Sequence, residues 1–343
     1  MKFSIQLSAD YPDKSYGGDR VYGDMIEQAV LCDRLGFDAV GLTEHHLVNC
    51  LMNPAPLQFA VKIAAHTEQI KIMTSVIVLP LHDMRVLAGE LVVADIFTEG
   101  RLLVGVGRGA FRFEMERLGV PMEETRARFD ESLDVLQALL TEEEVSWHGQ
   151  FYDFEPLTIM PRPVAPDRPQ LMMAVMNPEG ISACTKRGFH IQTTPLAGEH
   201  ELLMHQVQGH KSAKAEMGRD GEHLSISLSR VAHLAHTPDE RRSRIEAAHA
   251  YYSRFDNIYT GPGLVDAGMI RPLPRSQSID ELAESLLVCT PDEMVERLAV
   301  YDDLGIDRVI LNPNFGLAQS ATLEMIECFA EEVMPHFASE ADA

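Results

Sequence analysis

The chain has 343 residues, enough for one large buried core, and 45% hydrophobic with 24% charged residues is ordinary for a globular enzyme. Its 52 acidic and 29 basic side chains give a formal charge of −23, which repels phosphate backbones and anionic lipid and argues against nucleic-acid or membrane binding. The five cysteines are scattered and never form a C-x-x-C pair, so reduced thiols in the cytoplasm are expected, with no disulfide framework and no metal site.

In chain order, strand-like and helix-like segments alternate. Residues 2–7 alternate as a strand straight after Met1, unlike a secretory signal, and a helix follows over 20–35 with Met25, Ala29 and Cys32 on one face. A strand at 38–43, a helix over 54–67, a β-branched strand at 70–79, a helix over 84–98 and a strand at 102–106 come next. The most regular helix lies near 123–140, where Phe129, Leu133, Leu136 and Leu140 form a stripe. Val145–Phe154 alternates on both sides of His148-Gly149, which predicts a β-hairpin inserted over 145–160. Strands at 171–175, 189–193, 225–235 and 307–312 and a last helix over 319–338 complete eight units. The expected fold is α/β, a parallel (β/α)8 TIM barrel in one domain over 1–343.

Residues 256–289 are rich in Gly and Pro, with only a short helical pattern at 279–287. So long a connection in a compact domain predicts a mobile, lid-like loop over the barrel mouth, whose physical role is to exclude water.

Two motifs fall at the C-terminal ends of strands, where barrels build their active sites. Thr43-Glu44-His45-His46 ends the second strand, and an imidazole there suits proton transfer because its ordinary pKa lies near working pH. The competing reading is a hydrogen-bonded polar rim. Gly105-Val106-Gly107-Arg108-Gly109-Ala110-Phe111 ends the fourth strand; its glycines would let backbone approach a ligand, and Arg108 offers a bidentate partner for phosphate. A dinucleotide fingerprint does not fit, because the spacing is G-x-G-x-G and the next helix is expected only near Glu123.

The chain resembles the bacterial luciferase-like flavin-dependent oxidoreductases over nearly its full length. The resemblance rests on Gly36-Phe37-Asp38, Glu44-His45-His46, Ile77-Val78-Leu79-Pro80, Thr98-Glu99-Gly100-Arg101-Leu102, Gly107-Arg108-Gly109, Thr290-Pro291-Asp292-Glu293 and Val333-Met334-Pro335, in that order. It implies the oxygenase half of a two-component monooxygenase. Reduced FMN from a separate NAD(P)H:flavin reductase would react with dioxygen, and one oxygen atom would enter a small organic substrate. It also implies a homodimer.

By the same resemblance His45 lines the reactive face of the flavin and assists proton transfer; His46 is a second catalytic candidate that would orient Glu44 or its neighbour, Glu114 is a further catalytic group, and Glu44 and Phe111 lie next to substrate. Arg108 pairs the flavin phosphate between Gly107 and Gly109, and Ser75-Val76 is a cis step supporting the flavin ring. Val175, Met176, Gly180 and Thr194 border the cofactor, and backbone N–H groups of a helix starting at Pro178 would assist the phosphate. Gly107 stands where the luciferases carry a reactive cysteine, so no thiol role carries over. Three other readings remain: a deazaflavin-dependent oxidoreductase performing hydride transfer, a metal-dependent hydrolase using Glu44, His45, His46 and His82, and a non-catalytic flavin carrier.

Overall fold

The computed structural model describes residues 1–11, 13–197 and 200–338. Eight parallel strands form its centre: β1 (Lys2–Leu7), β2 (Ala39–Leu42), β3 (Lys71–Thr74), β4 (Leu102–Gly107), β5 (Gln170–Ala174), β6 (His190–Thr193), β7 (Ile226–Leu234) and β8 (Arg308–Asn312). Each pairs with the next, and β8 returns to β1 with Arg308 opposite Lys2 and Leu311 opposite Ile5, so the ring closes. All eight strands fall on the segments that alternation predicts.

The alternation has a physical cause. Phe3, Ile5 and Leu7 of β1 join the large apolar cluster shared with helix residues such as Ile63, Leu91 and Leu136. Ala39, Met73, Met172 and Ile310 form a separate, smaller cluster that fills the barrel interior. Each turn then places a new side chain row: helix Gly18–Arg34 ends where Gly36 takes φ +80°, which returns the chain to β2.

Above that interior cluster the barrel is polar and tightly fitted. A Cβ on Gly105 would lie 2.2 Å from the Thr74 carbonyl oxygen and 2.7 Å from Gln192 Nε2. That amide donates to the Thr74 carbonyl at 3.1 Å, and the Thr74 hydroxyl donates to the Gly105 carbonyl at 2.8 Å. Gly105→Ala is therefore expected to overpack backbone as well as side chain, at a cost of about 3 kcal/mol. Chemical denaturation would show it as a lower midpoint at unchanged slope; an unaltered midpoint would mean that the strands part freely.

Val145–His148 and Asp153–Leu157 pair antiparallel outside the ring. Glu131, on helix Thr125–Thr141, accepts the backbone N–H groups of Gln150 and Tyr152 and anchors this hairpin's turn.

Two segments differ from expectation. A helix at Arg112–Arg117 follows Phe111 directly, well before Glu123; six residues are too few to display a helical period in sequence. Residues 256–289 are also more ordered than a loop. The preceding helix runs Pro238–Tyr259, Val265–Asp266 pairs with Met269–Ile270, and helix Ile279–Ser285 starts in a capping box of Ser278 and Glu281. Leu287–Cys289 then pairs in parallel with Ala232–Leu234 at the upper end of β7. The end of the expected lid is thus part of the sheet, a three-residue apolar strand too short to read by alternation. The last helix stops at Glu332, and Met334–Phe337 continues as a 3-10 turn around Pro335.

Candidate active site

The chain leaves β2 at Leu42 and lays Glu44, His45 and His46 along the rim. Glu44 is 2% exposed. Its Oε1 meets His46 Nε2 at 2.9 Å and His82 Nε2 at 2.8 Å, and its Oε2 accepts the Val78 N–H at 2.7 Å. Burial would raise this carboxyl, but the bonds from His46, His82 and Val78 outweigh it and hold the pKa at about 2. The bond to Glu44 in turn raises His46, against the effect of its own partial burial. The placement corrects one expectation: Glu44 is a buried clamp joining β2 to the residues after β3, and its oxygens face protein groups instead of a substrate.

His45 is held from a different side. Its Nδ1 lies 2.9 Å from Glu114 Oε2, and Glu114 Oε1 accepts the His46 N–H at 2.6 Å. The imidazole stacks on Phe111, with centroids 4.0 Å apart and planes 20° from parallel. Glu114 sits in the short helix Arg112–Arg117 and is buried, so it positions His45 and His46 and does not itself face open space. With Nδ1 engaged, Nε2 is the ring nitrogen left to meet a ligand. The two adjacent histidines are drawn to separate carboxylates, His45 to Glu114 and His46 to Glu44.

After β3 the Ser75–Val76 peptide is cis, and Ser75 N–H donates to the Leu42 carbonyl at 2.6 Å. Ile77–Val78 then pairs with Val106–Gly107. The glycines here have another use than expected. A Cβ on Gly107 would lie 2.5 Å from Val76 Cγ2, and one on Gly109, which has φ +81°, would lie 2.7 Å from Met115 Sδ and 2.8 Å from Val78 Cγ1. Their missing side chains admit protein atoms, and so fix the bend that presents Arg108.

Arg108 is exposed and makes no ion pair or side-chain hydrogen bond among the described residues. Beside it stands Tyr259, whose phenol is pushed up by burial and drawn down by the Arg108 charge. The Tyr259 hydroxyl lies 3.7 Å from Met176 Sδ. Gln206 Nε2 donates to the Met176 carbonyl at 2.7 Å and to that of Thr194 at 3.2 Å, tying the ends of β5 and β6 together. Val175 N–H is bonded to the Gln192 carbonyl at 3.0 Å.

The helix Pro178–Lys186 begins as expected, but its end is already occupied. Asn177 Oδ1 accepts the Gly180 N–H at 2.6 Å, and Ile181 N–H bonds to the Asn177 carbonyl. Thr194 Oγ1 likewise accepts the Leu196 N–H of its own turn at 2.9 Å. The Gly180 N–H is thus engaged, whereas the Thr194 hydroxyl only accepts here and keeps its O–H as a donor; Arg108 is the cationic group on this part of the rim.

A second apolar cluster covers the rim. Val48, Cys50, Phe111, Val231, Tyr251, Tyr252, Phe255, Ile270 and Phe315 pack together, so helix Pro238–Tyr259 is as much of the cover as the segment after it. Phe111 and Phe255 meet edge to face at 5.8 Å. Arg254 Nη2 donates to Asp10 Oδ2 at 2.6 Å between this helix and the end of β1. Burial raises the Asp10 carboxyl and Arg254 opposes it. The Cys50 thiol is raised by burial, which makes it an inert core group.

Sequence reasoning did not single out Tyr259, Gln192, Gln206 or the Asp10–Arg254 pair. Their roles arise from contacts between separate elements, from 12 and 30 residues for Gln206 to 244 between Arg254 and Asp10, and no local pattern marks them.

A closed parallel barrel that carries its polar groups on the rim at the strands' C-terminal ends is the architecture of a (β/α)8 enzyme. The chain belongs to the luciferase-like monooxygenase family, whose profile matches residues 1–308. It is 25% identical over 347 residues to the oxygenase component of a flavin-dependent trigonelline monooxygenase from Acinetobacter baylyi, covering 98% of this chain and 96% of that one. An F420-dependent glucose-6-phosphate dehydrogenase from Beutenbergia cavernae is 26% identical, covering 91% and 92%. Among solved structures, a monooxygenase from Streptomyces bottropensis superposes with a TM-score of 0.86 at 25% identity, covering 98% of this chain and all (100%) of that one.

Proposed function

We propose that this chain is the oxygenase component of a two-component monooxygenase that uses reduced FMN and dioxygen to place one oxygen atom in a small organic substrate. The observation that carries the reading is the juxtaposition on one rim of His45, oriented by Glu114 and stacked on Phe111, with an Arg108 that has no ion pair among the described residues. These residues fit a phosphate-bearing flavin: Arg108 would hold the phosphate, and Ser75, Val76, Val175 and Met176 would border the ring system. Bound reduced flavin supplies the electrons that activate dioxygen.

This chain's own residues supply the rest. Glu44 holds the segment after β3 against the rim through Val78. Glu114 keeps Nδ1 of His45 engaged, so that Nε2 can hold or deliver a proton where oxygen chemistry takes place. The apolar roof of Phe111, Tyr251 and Phe255 keeps water away from that point. The relatives support a separate NAD(P)H:flavin reductase as partner, since the Acinetobacter baylyi protein is named as an oxygenase component. A homodimer is part of the proposal: helix Met84–Phe97 exposes Val86 and Phe97 at 59% and 62%, and Met160 beside it at 76%. The proposed location is cytoplasmic; no described helix is long and apolar enough to cross a membrane.

Rapid mixing tests the reading. Protein loaded with photoreduced FMN is mixed with oxygenated buffer while absorbance is recorded. A long-lived transient that decays to oxidised flavin supports oxygen activation. Arg108→Ala is expected to weaken reduced-FMN binding by about 1–3 kcal/mol, the loss of one charge-assisted hydrogen bond. Unchanged affinity would remove Arg108 from the phosphate. The F420-dependent relative favours a second reading, hydride transfer with a deazaflavin. Absence of reduced-FMN binding, with binding of F420 instead, would select it.

A further inference from the structure

A cavity of about 210 Å³ lies away from the barrel mouth, between β7, helix His200–Met217, helix Pro291–Asp303 and the end of helix Ile279–Ser285. Its polar lining is His200, Arg230, Glu284, Ser285, Arg297 and Tyr301. Arg230 is 7% exposed, and its Nε has no hydrogen-bond partner. Its Nη2 bonds to the Ser285 carbonyl, and Arg297 Nη1 bonds to the next carbonyl, Leu286, at 2.8 Å. Neither arginine makes an ion pair among the described residues, although Glu284 lines the same cavity.

Two carbonyl dipoles at a helix end solvate guanidinium groups but do not neutralise two full charges. A cation withdrawn from water is destabilised unless an anion compensates it. In a chain of formal charge −23, two arginines that line one cavity and make no ion pair among the described residues are a selective feature for anions.

We propose that this cavity binds a small dianion, with phosphate or dicarboxylate chemistry, held by Arg230 and Arg297 and offered a further donor by the Tyr301 phenol. Leu203, Leu287 and Val300 form its apolar side and limit the ligand to a compact group. Ser285 and Leu286 are the root of the segment that enters the short strand Leu287–Cys289. A dianion bridging the two guanidinium groups would fasten that root to the barrel wall, and so stiffen the cover of the mouth from outside it.

The experiment follows the thermal unfolding midpoint of the full chain against inorganic phosphate and, separately, succinate, with sodium chloride at matched ionic strength as reference. The expected result is a saturable rise with a dianion beyond that of chloride, as binding to the folded state alone requires. The apparent dissociation constant should weaken about tenfold or more in Arg297→Gln, tighten in Glu284→Gln and stay unchanged in Arg108→Ala. Arg297 is half-buried, so this variant keeps the test open even if Arg230→Met does not fold. Saturation by phosphate alone supports a phosphoryl ligand, and by succinate alone a dicarboxylate. A rise no greater than chloride gives, or one lost in Arg108→Ala and indifferent to Arg297→Gln, overturns the proposal.

Discussion

Replacing His45 by Ala is expected to slow substrate turnover by about 10²–10⁴-fold, the range for losing a positioned acid–base group. Reduced-FMN affinity should remain largely intact, because the phosphate is assigned to Arg108 on a different strand end. The imidazole is well placed for so large an effect: Nδ1 is fixed by Glu114 at 2.9 Å and one ring face is covered by Phe111. Glu114→Gln provides the matched comparison. It keeps the side chain's shape but weakens the charge that orients His45, so turnover should fall less than in His45→Ala. Steady-state oxygenation and flavin titration on the same preparations separate the two parameters. Full turnover in His45→Ala would sink the assignment.

Glu44→Ala should be the most damaging change to folding at the rim. It would leave the Val78 N–H and two imidazoles without their shared acceptor inside a buried site. Breaking such a network by removing one member costs about 3 kcal/mol or more. The pH dependence has a definite sign. The folded pKa of Glu44, about 2, lies below the ordinary value of 4.5, so its contribution is complete above pH 4.5 and is lost as pH falls toward 2. That difference corresponds to roughly 3 kcal/mol at neutral pH. Unfolding midpoints of the wild type and Glu44→Gln should therefore converge as pH drops below 4.5. A gap that stays constant down to pH 3 would show that Glu44 acts by shape alone.

The two predictions separate functions that the sequence runs together. Glu44, His45 and His46 are consecutive, yet the structure gives them different partners: His45 goes to Glu114, and His46 joins His82 on Glu44. The sequence could place an imidazole pair at a strand end, since a buried parallel strand is a short apolar run. It could not say which imidazole meets which carboxylate, because Glu114 approaches from 69 residues away on a helix too short to be read. The glycines around Arg108 follow the same pattern. Their spacing was visible, but their use in admitting Val76, Val78 and Met115 depends on how β3 and β4 meet.

The sequence by itself determined the eight barrel strands, the inserted hairpin pattern and the rim positions of His45 and Arg108, because these depend on local patterns: short apolar runs for the barrel strands and alternating side chains for the hairpin. Only the tertiary structure decided that Glu44 is an internal clamp, that Asn177 occupies the Gly180 N–H, and that the end of the 256–289 segment is a strand. It also enclosed Arg230 and Arg297 in one cavity. Each of these depends on contacts between segments far apart in the chain, where hydrogen-bond partners and excluded volume are set by packing and leave no periodic trace in the sequence.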